Sequence, residues 1–326
     1  MKRLAVAATF VGAIVGAGFA SGREIALYFA ETSILTPLLS GVLLGVFCYL
    51  FSEIGRVTGG NAALLSPRLS KPLRFVIRGE NAVTYCAMIA GGEEILYGLF
   101  NIHGGGIFSG ILALFLVLWG ADKIKWSNLF IVPAIIVMVF VLFFTNSTFP
   151  TGRKISALSA FSYCAMNVMG GGYLISTYSG DFSKKDSVLT SILSGVIITA
   201  LLVAVYCVVC VEPDAVMPLL AAAEETGLSV VANIVAYLAI FTTLTGSLSI
   251  ASGNKPTVAA LLTAGALVVA TFGFRSLVDK AYPVLGAIGG AVSLTYAFLY
   301  ARYRYQKSRS KTAIRDVFSK SRRPIR

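Results

Sequence analysis

Apolar residues run through this chain in long stretches separated by short polar clusters, and ten such stretches stand out: 4–31, 34–55, 78–102, 105–120, 127–145, 155–179, 187–210, 228–251, 256–273 and 280–303. A helix that crosses the hydrocarbon core of a bilayer needs about 20 residues. Strands of a membrane barrel would read instead as roughly 10-residue segments of alternating polarity. Here the runs are longer and apolar on nearly every face, so the pattern predicts an all-α, polytopic membrane protein with about ten transmembrane helices, called spans 1–10 below. The opening MKRLAVAATFVGAIVGAGFASG has the outline of a signal peptide with cleavage near Ala20, but its apolar run continues to Phe29 and reads as the first span. The expected organisation is one transmembrane domain over 1–303, in halves of about 1–150 and 151–303, followed by a basic tail at 304–326.

Composition agrees with the hydropathy. Of the 326 residues, 56% are hydrophobic and only 13% charged, and mean hydropathy is +0.81; a soluble domain of this size needs far more charge to cover its surface. The net charge of +12 would raise nucleic-acid binding in a soluble protein, but the positions of the charges argue otherwise. With the N-terminus cytoplasmic and ten spans, both termini lie inside. Inside segments then hold Lys2, Arg3, Arg56, Arg68, Lys71, Arg74, Arg78, Lys123, Lys125, Lys184, Lys185, Lys255 and ten cations from Arg302 to Arg326, which is 22 of 27. Outside loops hold Arg153, Lys154, Arg275 and Lys280. This is the positive-inside bias, so a multi-pass protein of the cell membrane with both termini cytoplasmic is expected. The tail reads as a topology signal resting on anionic lipid.

The spans repeat. Spans 2–5 begin near 34, 78, 105 and 127, and spans 7–10 near 187, 228, 256 and 280, offsets close to 153. Repeats of five spans must have opposite orientations, so the expected fold is a 5+5 inverted repeat, a hallmark of secondary transporters. The first helix of each half carries a glycine cluster at matching depth: Gly12, Gly16, Gly18 and Gly22 in span 1, and Gly170-Gly171-Gly172 after Asn167 in span 6. Glycine weakens a helix by about 1 kcal/mol per residue relative to alanine. It also serves close helix packing, as in the Gly12xxxGly16 spacing. The matched positions favour unwinding, which predicts discontinuous helices 1 and 6, side by side and antiparallel. Freed backbone groups there would line a cavity, with carbonyls for a cation and half-helix N-termini for a carboxylate.

The run VGAGFASG, with Glu53-Ile-Gly55-Arg56-Val-Thr-Gly59-Gly60 at the end of span 2, resembles transporters of the leucine-transporter fold, which the neurotransmitter:sodium symporters and the amino acid–polyamine–cation (APC) superfamily share. Within that group it is most similar to the YkvI-type amino-acid permeases of bacteria. The likeness covers the ten-span layout, although the symporters have a longer chain with two further spans. It implies a substrate site at the breaks, formed by Gly16, Ala17, Gly18, Phe19, Asn167, Gly170, Gly171 and Gly172. It also implies a Na⁺ site between spans 1 and 8, with Gly12 and Val15 supplying carbonyls. In span 8, Thr242, Thr245 and Ser249 share one helix face; their hydroxyls suit a hard cation, or bond to backbone. An external lid is expected over 212–226.

Ionisable side chains inside a membrane are costly and mark function. Arg23 and Glu24 cannot face one direction on a regular helix, so each needs its own partner. Glu93 and Glu94 are neighbours in span 3, which lines the substrate path in this fold. Adjacent carboxylates in a poor dielectric repel, which favours a proton carrier; a gate with Arg23, a cationic substrate or an interhelical salt bridge remain alternatives. Tyr97, with Phe19, Tyr163 and Tyr173, is a candidate to close the site. Glu53, at the inner end of span 2, is expected to be structural. The cysteines Cys48, Cys86, Cys164, Cys207 and Cys210 all fall in apolar runs, and His103 reads as interfacial. There is no HExxH, GxSxG or Walker A motif, so the expectation is not an enzyme, and no cofactor beyond a coupling Na⁺ or H⁺. The function expected is secondary active transport of an amino acid or similar small zwitterionic or amine solute; a channel or facilitator is the alternative. The residues leave the substrate, the coupling ion and the oligomeric state open.

Overall fold

A computed structural model describes residues 2–62, 70–120, 128–151, 153–253 and 255–321. Every regular element among them is helical. Three short helices form span 1: α1 (Lys2–Ile14), α2 (Ala17–Ser21) and α3 (Arg23–Phe29). Spans 2–5 are α4 (Leu35–Thr58), α5 (Ser70–Phe100), α6 (Gly105–Gly120) and α7 (Asn128–Thr145). Spans 6 and 7 are α8 (Ala157–Tyr178) and α9 (Lys184–Val209), followed by the short α10 (Pro218–Glu225). Spans 8–10 are α11 (Ser229–Ser252), α12 (Pro256–Ala270) and α13 (Phe274–Ser321). Of the cations used for orientation, Arg68, Lys123, Lys125, Arg322, Arg323 and Arg326 lie outside the described residues.

The ends follow local chemistry. α9 starts on a capping box in which Ser183 accepts from Asp186 N–H and Asp186 accepts from Ser183 N–H. α4 stops at Gly59, whose φ of 63° reverses the chain. Among the described residues, four helical stretches, Leu35–Thr58, Lys184–Val209, Ser229–Ser252 and Phe274–Lys307, are each long and apolar enough to cross a membrane. Span 1 reaches that length only as three joined pieces. α5 carries glutamates, tyrosines and glycines among its apolar residues, and α8 an asparagine, tyrosines and glycines.

The inverted repeat is written in the contacts. Gly41 of α4 faces Thr199 of α9 and Gly45 faces Gly195, so one helix ascends as the other descends. A side chain on Gly45 would sit 3.4 Å from Gly195 Cα, so the backbones meet nearly bare. Span 1 and α8 are likewise antiparallel: Phe10 packs on Gly171, Glu24 meets Asn167, and Phe29 stacks near Tyr163. α5 packs on α11 and α6 on α12. Spans 1–4 therefore each touch their own counterpart from the second half. The protein is a polytopic membrane protein built as this 5+5 repeat.

One expectation fails. Helix 6 is continuous: α8 runs unbroken from Ala157 to Tyr178 through Gly170, Gly171 and Gly172. The reason lies in what faces the glycines. A Cβ on Gly171 would come within 3.1 Å of the Phe10 ring, and one on Gly172 within 3.0 Å of the Phe51 ring. Two large rings from α1 and α4 lie on the bare face of α8, which is the packing use of glycine rather than the unwinding one. Gly170 faces open space. Span 10 also differs in extent, since α13 continues as one helix past 303 into the basic tail.

The packing reading makes a graded expectation. Gly172→Ala overpacks the Phe51 contact and should cost about 1–3 kcal/mol, seen as a lower unfolding temperature in detergent. Phe51→Leu in the same chain should recover part of that loss. Gly170→Ala should be neutral or slightly stabilising; equal losses at the two glycines would contradict the assignment.

Candidate functional site

The break in span 1 begins at Gly16. The Val15 amide still donates to Val11 O at 2.7 Å, but the Gly16 amide turns to Ile14 O at 3.0 Å, so Gly12 O loses its regular helical donor. Gly16 has φ −122° and ψ −142°, outside the helical region. Six residues later the chain turns again at Gly22, φ +73°. A Cβ there would meet Val209 at 2.7 Å and Leu219 N at 2.9 Å, so only glycine fits both the conformation and the space. The two kinks give α3 its own direction and its own N-terminus, and Arg23 and Glu24 sit in its first turn.

Those residues go to different partners. The Arg23 guanidinium donates to both carboxylate oxygens of Asp279 on α13, Nε to Oδ1 at 2.8 Å and Nη2 to Oδ2 at 2.5 Å. Its Nη1 donates to the carbonyls of Pro213 (3.1 Å) and Ala215 (3.3 Å) in the segment before α10. Arg23 is buried. It ties span 1, span 10 and the 212–226 segment into one closure at one end of the bundle. Glu24, also buried, turns inward. Its Oε1 accepts from Asn167 Nδ2 of α8 at 2.8 Å, and Asn167 Nδ2 also donates to Tyr163 O at 3.1 Å. Gly18 forms the other wall, since a Cβ there would overlap the Glu24 carboxylate. The glycine at 18 is therefore a seat for a carboxyl group, which also gains from the positive end of α3.

Aromatic side chains close around this carboxyl. Tyr28, one turn on, donates to Tyr282 O of α13 at 2.8 Å. Tyr28 and Tyr163 meet edge to face with ring centroids 5.7 Å apart. The Tyr163 hydroxyl is buried and has no hydrogen-bond partner among the described residues.

The predicted residues separate into three places. Gly16, Ala17, Gly18, Phe19 and Asn167 gather at the break, with Ala17 and Phe19 buried in the core. Gly171 and Gly172 pack against rings, and Gly170 faces open space, as above. Glu93, Glu94 and Tyr97 form a separate group at the far end of α5. Glu93 accepts from Gly106 N–H at 2.7 Å and from Gly104 N–H at 3.1 Å, so it caps the start of α6. Glu94 is exposed. Tyr97 stacks on His103 with centroids 4.5 Å apart. Arg23 does not pair with Glu93 or Glu94; Asp279 takes that place. Glu53 is fully buried but answered: Arg56 donates to both its oxygens at 2.7 Å and Tyr300 to one at 3.0 Å, which locks the end of α4 to α13.

At the candidate cation site, Gly12 and Val15 lie at the break as expected. From span 8, Thr243 faces the break: its Oγ1 would stand 3.4 Å from a Cβ on Gly16. Thr242 donates to Ala239 O at 3.0 Å, and Thr245 to Phe241 O and Thr242 O, each at 3.0 Å. Ser249 lies further along α11, one turn beyond Thr245. Sequence reasoning missed Thr243, Asp279, Tyr282 and Glu80. Glu80 stands near the start of the third apolar run, but α5 begins at Ser70, so it lies ten residues inside a helix. The signal available was spacing: Leu73, Ile77 and Glu80 share one face of a helix.

A recess of about 890 Å³ is an open apolar groove between α4 and α9 lined by exposed residues such as Val42, Val46, Ile192 and Val196. It contains no residue of the group around Glu24.

No protein-family model and no curated protein matches the chain. Solved structures do. The chain is similar to the inward-facing conformation of Mhp1, with 10% identity and a TM-score of 0.59 over 89% of this chain and 76% of that one. It is also similar to Mhp1, a nucleobase-cation-symport-1 family transporter, in a closed conformation with bromovinylhydantoin bound, with 13% identity and a TM-score of 0.51 over 88% and 75%. The chain thus has the leucine-transporter fold that Mhp1 adopts.

Arg23 and Asp279 can be tested as a pair. Removing one member of a buried, bidentate ion pair leaves the other uncompensated; because Asp279 is part-exposed, about 1–3 kcal/mol is expected for Arg23→Gln. The double variant Arg23→Gln/Asp279→Asn should be more stable than Arg23→Gln alone. Additive losses in thermal unfolding would show that the two do not interact.

Proposed function

We propose that this chain is a secondary active transporter of an amino acid or similar small zwitterionic or amine solute, coupled to Na⁺ or H⁺ and working by alternating access. The observation that carries this reading is the carboxyl group of Glu24. It is buried beside the break in span 1 and held by Asn167 of the counterpart helix. It has no cation of its own, because Arg23 is committed to Asp279. A negative group at a helix N-terminus inside the membrane fills the place where a substrate carboxylate would otherwise bind, so the site favours the amine end of the solute. The closure made by Arg23, Asp279 and the carbonyls of Pro213 and Ala215 is of the kind that must break for access from that side.

Mhp1 supports the mechanism class by its fold and supplies no support for amino acids. The amine preference comes from Glu24, and the relation to YkvI-type permeases from the motifs of spans 1 and 2. Orientation with both termini cytoplasmic, in the cell membrane, follows from the charge bias, and the tail is placed on anionic lipid. A channel or facilitator is the competing reading. An inverted repeat with one interrupted helix and a closed end fits alternating access better.

The test is uptake into proteoliposomes of labelled alanine, leucine, lysine, putrescine and uracil, with Na⁺ and pH gradients imposed separately. Accumulation of an amine-bearing solute under one gradient is expected. Glu24→Gln should reduce it by roughly 10- to 100-fold, the worth of a charge-assisted bond of about 1.5–3 kcal/mol, and Asn167→Ala by less. If Na⁺ drives uptake, Thr243→Ala should weaken the Na⁺ dependence. Equilibration of solute without accumulation under either gradient would replace this reading by the facilitator.

A further inference from the structure

We propose that the groove between α4 and α9 holds one acyl chain of an anionic phospholipid, with the headgroup taken by Lys184 and Lys185 at the start of α9. The inference is independent of what the chain transports.

Small residues make the groove. α4 and α9 meet at Gly45 and Gly195 with almost no side chain between them, so the seam is sunk below its rims. The rims are branched and apolar: Val42 (60% exposed) and Val46 (57%) on α4, Ile192 (59%) and Val196 (63%) on α9. The hydroxyls that α9 brings to the groove are answered within their own helix, since Ser191 donates to Ser187 O and Thr199 to Gly195 O, each at 2.6 Å. The surface on offer is therefore hydrocarbon. The glycines that would let another helix approach closely are already used between α4 and α9, and the branched rims hold a neighbouring backbone away. A thin, flexible chain fits where a helix of a second copy does not. The lining runs from Val188 to Val203 along α9, about 22 Å at the helical rise. That exceeds the half-thickness of the hydrocarbon, about 15 Å, so an acyl chain of one leaflet lies in it over its whole depth.

One end of the groove is cationic. Lys185, Val188, Ile192, Thr199 and Val203 follow at spacings of three, four, seven and four, so they share one face of α9, and Lys184 lies one turn before Val188. Both lysines are exposed, and neither is in an ion pair among the described residues. The acids nearby do not answer them. Asp186 caps α9 through Ser183 and pairs with Arg3, and Asp181 is exposed. Arg3, Lys184 and Lys185 against Asp181 and Asp186 leave an excess of one positive charge. On the α4 side, Arg56 is committed to Glu53. The helix dipole opposes a cation in the first turn, so two lysines there are unfavourable until an anion answers them. This is the end that the charge bias assigns to the cytoplasm, where the leaflet surface is negative. An anionic phospholipid matches both features at once, its headgroup on the lysines and its chain along the valines.

The test compares dioleoyl phosphatidylglycerol with dioleoyl phosphatidylcholine on the purified full chain in detergent, by native mass spectrometry and thermal unfolding. A single phosphatidylglycerol should be retained, and it should raise the unfolding temperature more than phosphatidylcholine does. Lys184→Gln/Lys185→Gln should weaken phosphatidylglycerol binding by roughly 10- to 30-fold, about 5-fold for each lysine, with the lipid-free unfolding temperature unchanged. Val196→Phe fills the groove, leaves both lysines in place and should also lower retention. The charge-matched tail variant Arg302→Gln/Arg304→Gln should leave retention as in the wild type. Equal retention of the two lipids by the wild type means annular lipid only and overturns the inference. A preference lost in the tail variant rather than in the lysine variant overturns it too, as does a lipid-independent dimer that Val196→Phe dissociates.

Discussion

A membrane interior has no solvent to answer a polar group, so each one placed there must find its partner inside the protein. Span 1 sets that demand. It brings Arg23 and Glu24 next to each other, and interrupts its own backbone at Gly16 and Gly22. On a straight helix the two side chains would diverge by about 100°, with one left facing lipid or apolar packing. The kink at Gly22 re-aims both. Arg23 reaches Asp279 and two loop carbonyls, and Glu24 reaches Asn167. The positions of α8, α10 and α13 around span 1 follow from these bonds as much as from apolar contact.

The two halves of the chain share a plan but not its details. Counterpart helices pack on one another along nearly bare glycine faces, as at Gly45 and Gly195, which suits association in a solvent as apolar as the side chains. Within that shared plan, span 1 is broken and α8 is whole. The second half contributes an amide, Asn167, and a packed aromatic wall, whereas the first contributes the break and the charge. The asymmetry places a negative pole, Glu24, at the centre, and the proposed preference for an amine rests on it.

Much of this was legible in the residues. Ten apolar runs near the length of a bilayer-spanning helix established the class, and the offset near 153 established the inverted repeat, because both are properties of composition and period. The separate fates of Arg23 and Glu24 followed from helix geometry alone, and the expectation that Glu53 is structural from its place at the inner end of span 2.

What the residues left undetermined was which small or polar residue meets what. Glycine is used both to unwind a helix and to admit a ring, and its own identity does not distinguish them; Phe10 and Phe51, distant in sequence, decide it for Gly171 and Gly172. Glu93 looked like a buried acid because it sits in an apolar run, yet the α6 amides that it caps lie across a turn. The third apolar run begins near 78, whereas α5 begins at Ser70, because hydropathy sees composition and not where a helix begins. The class, the repeat and the charged residues of span 1 are local or periodic facts, carried by the sequence itself. Their partners are contacts between segments far apart in the chain, and those exist only once the helices have packed.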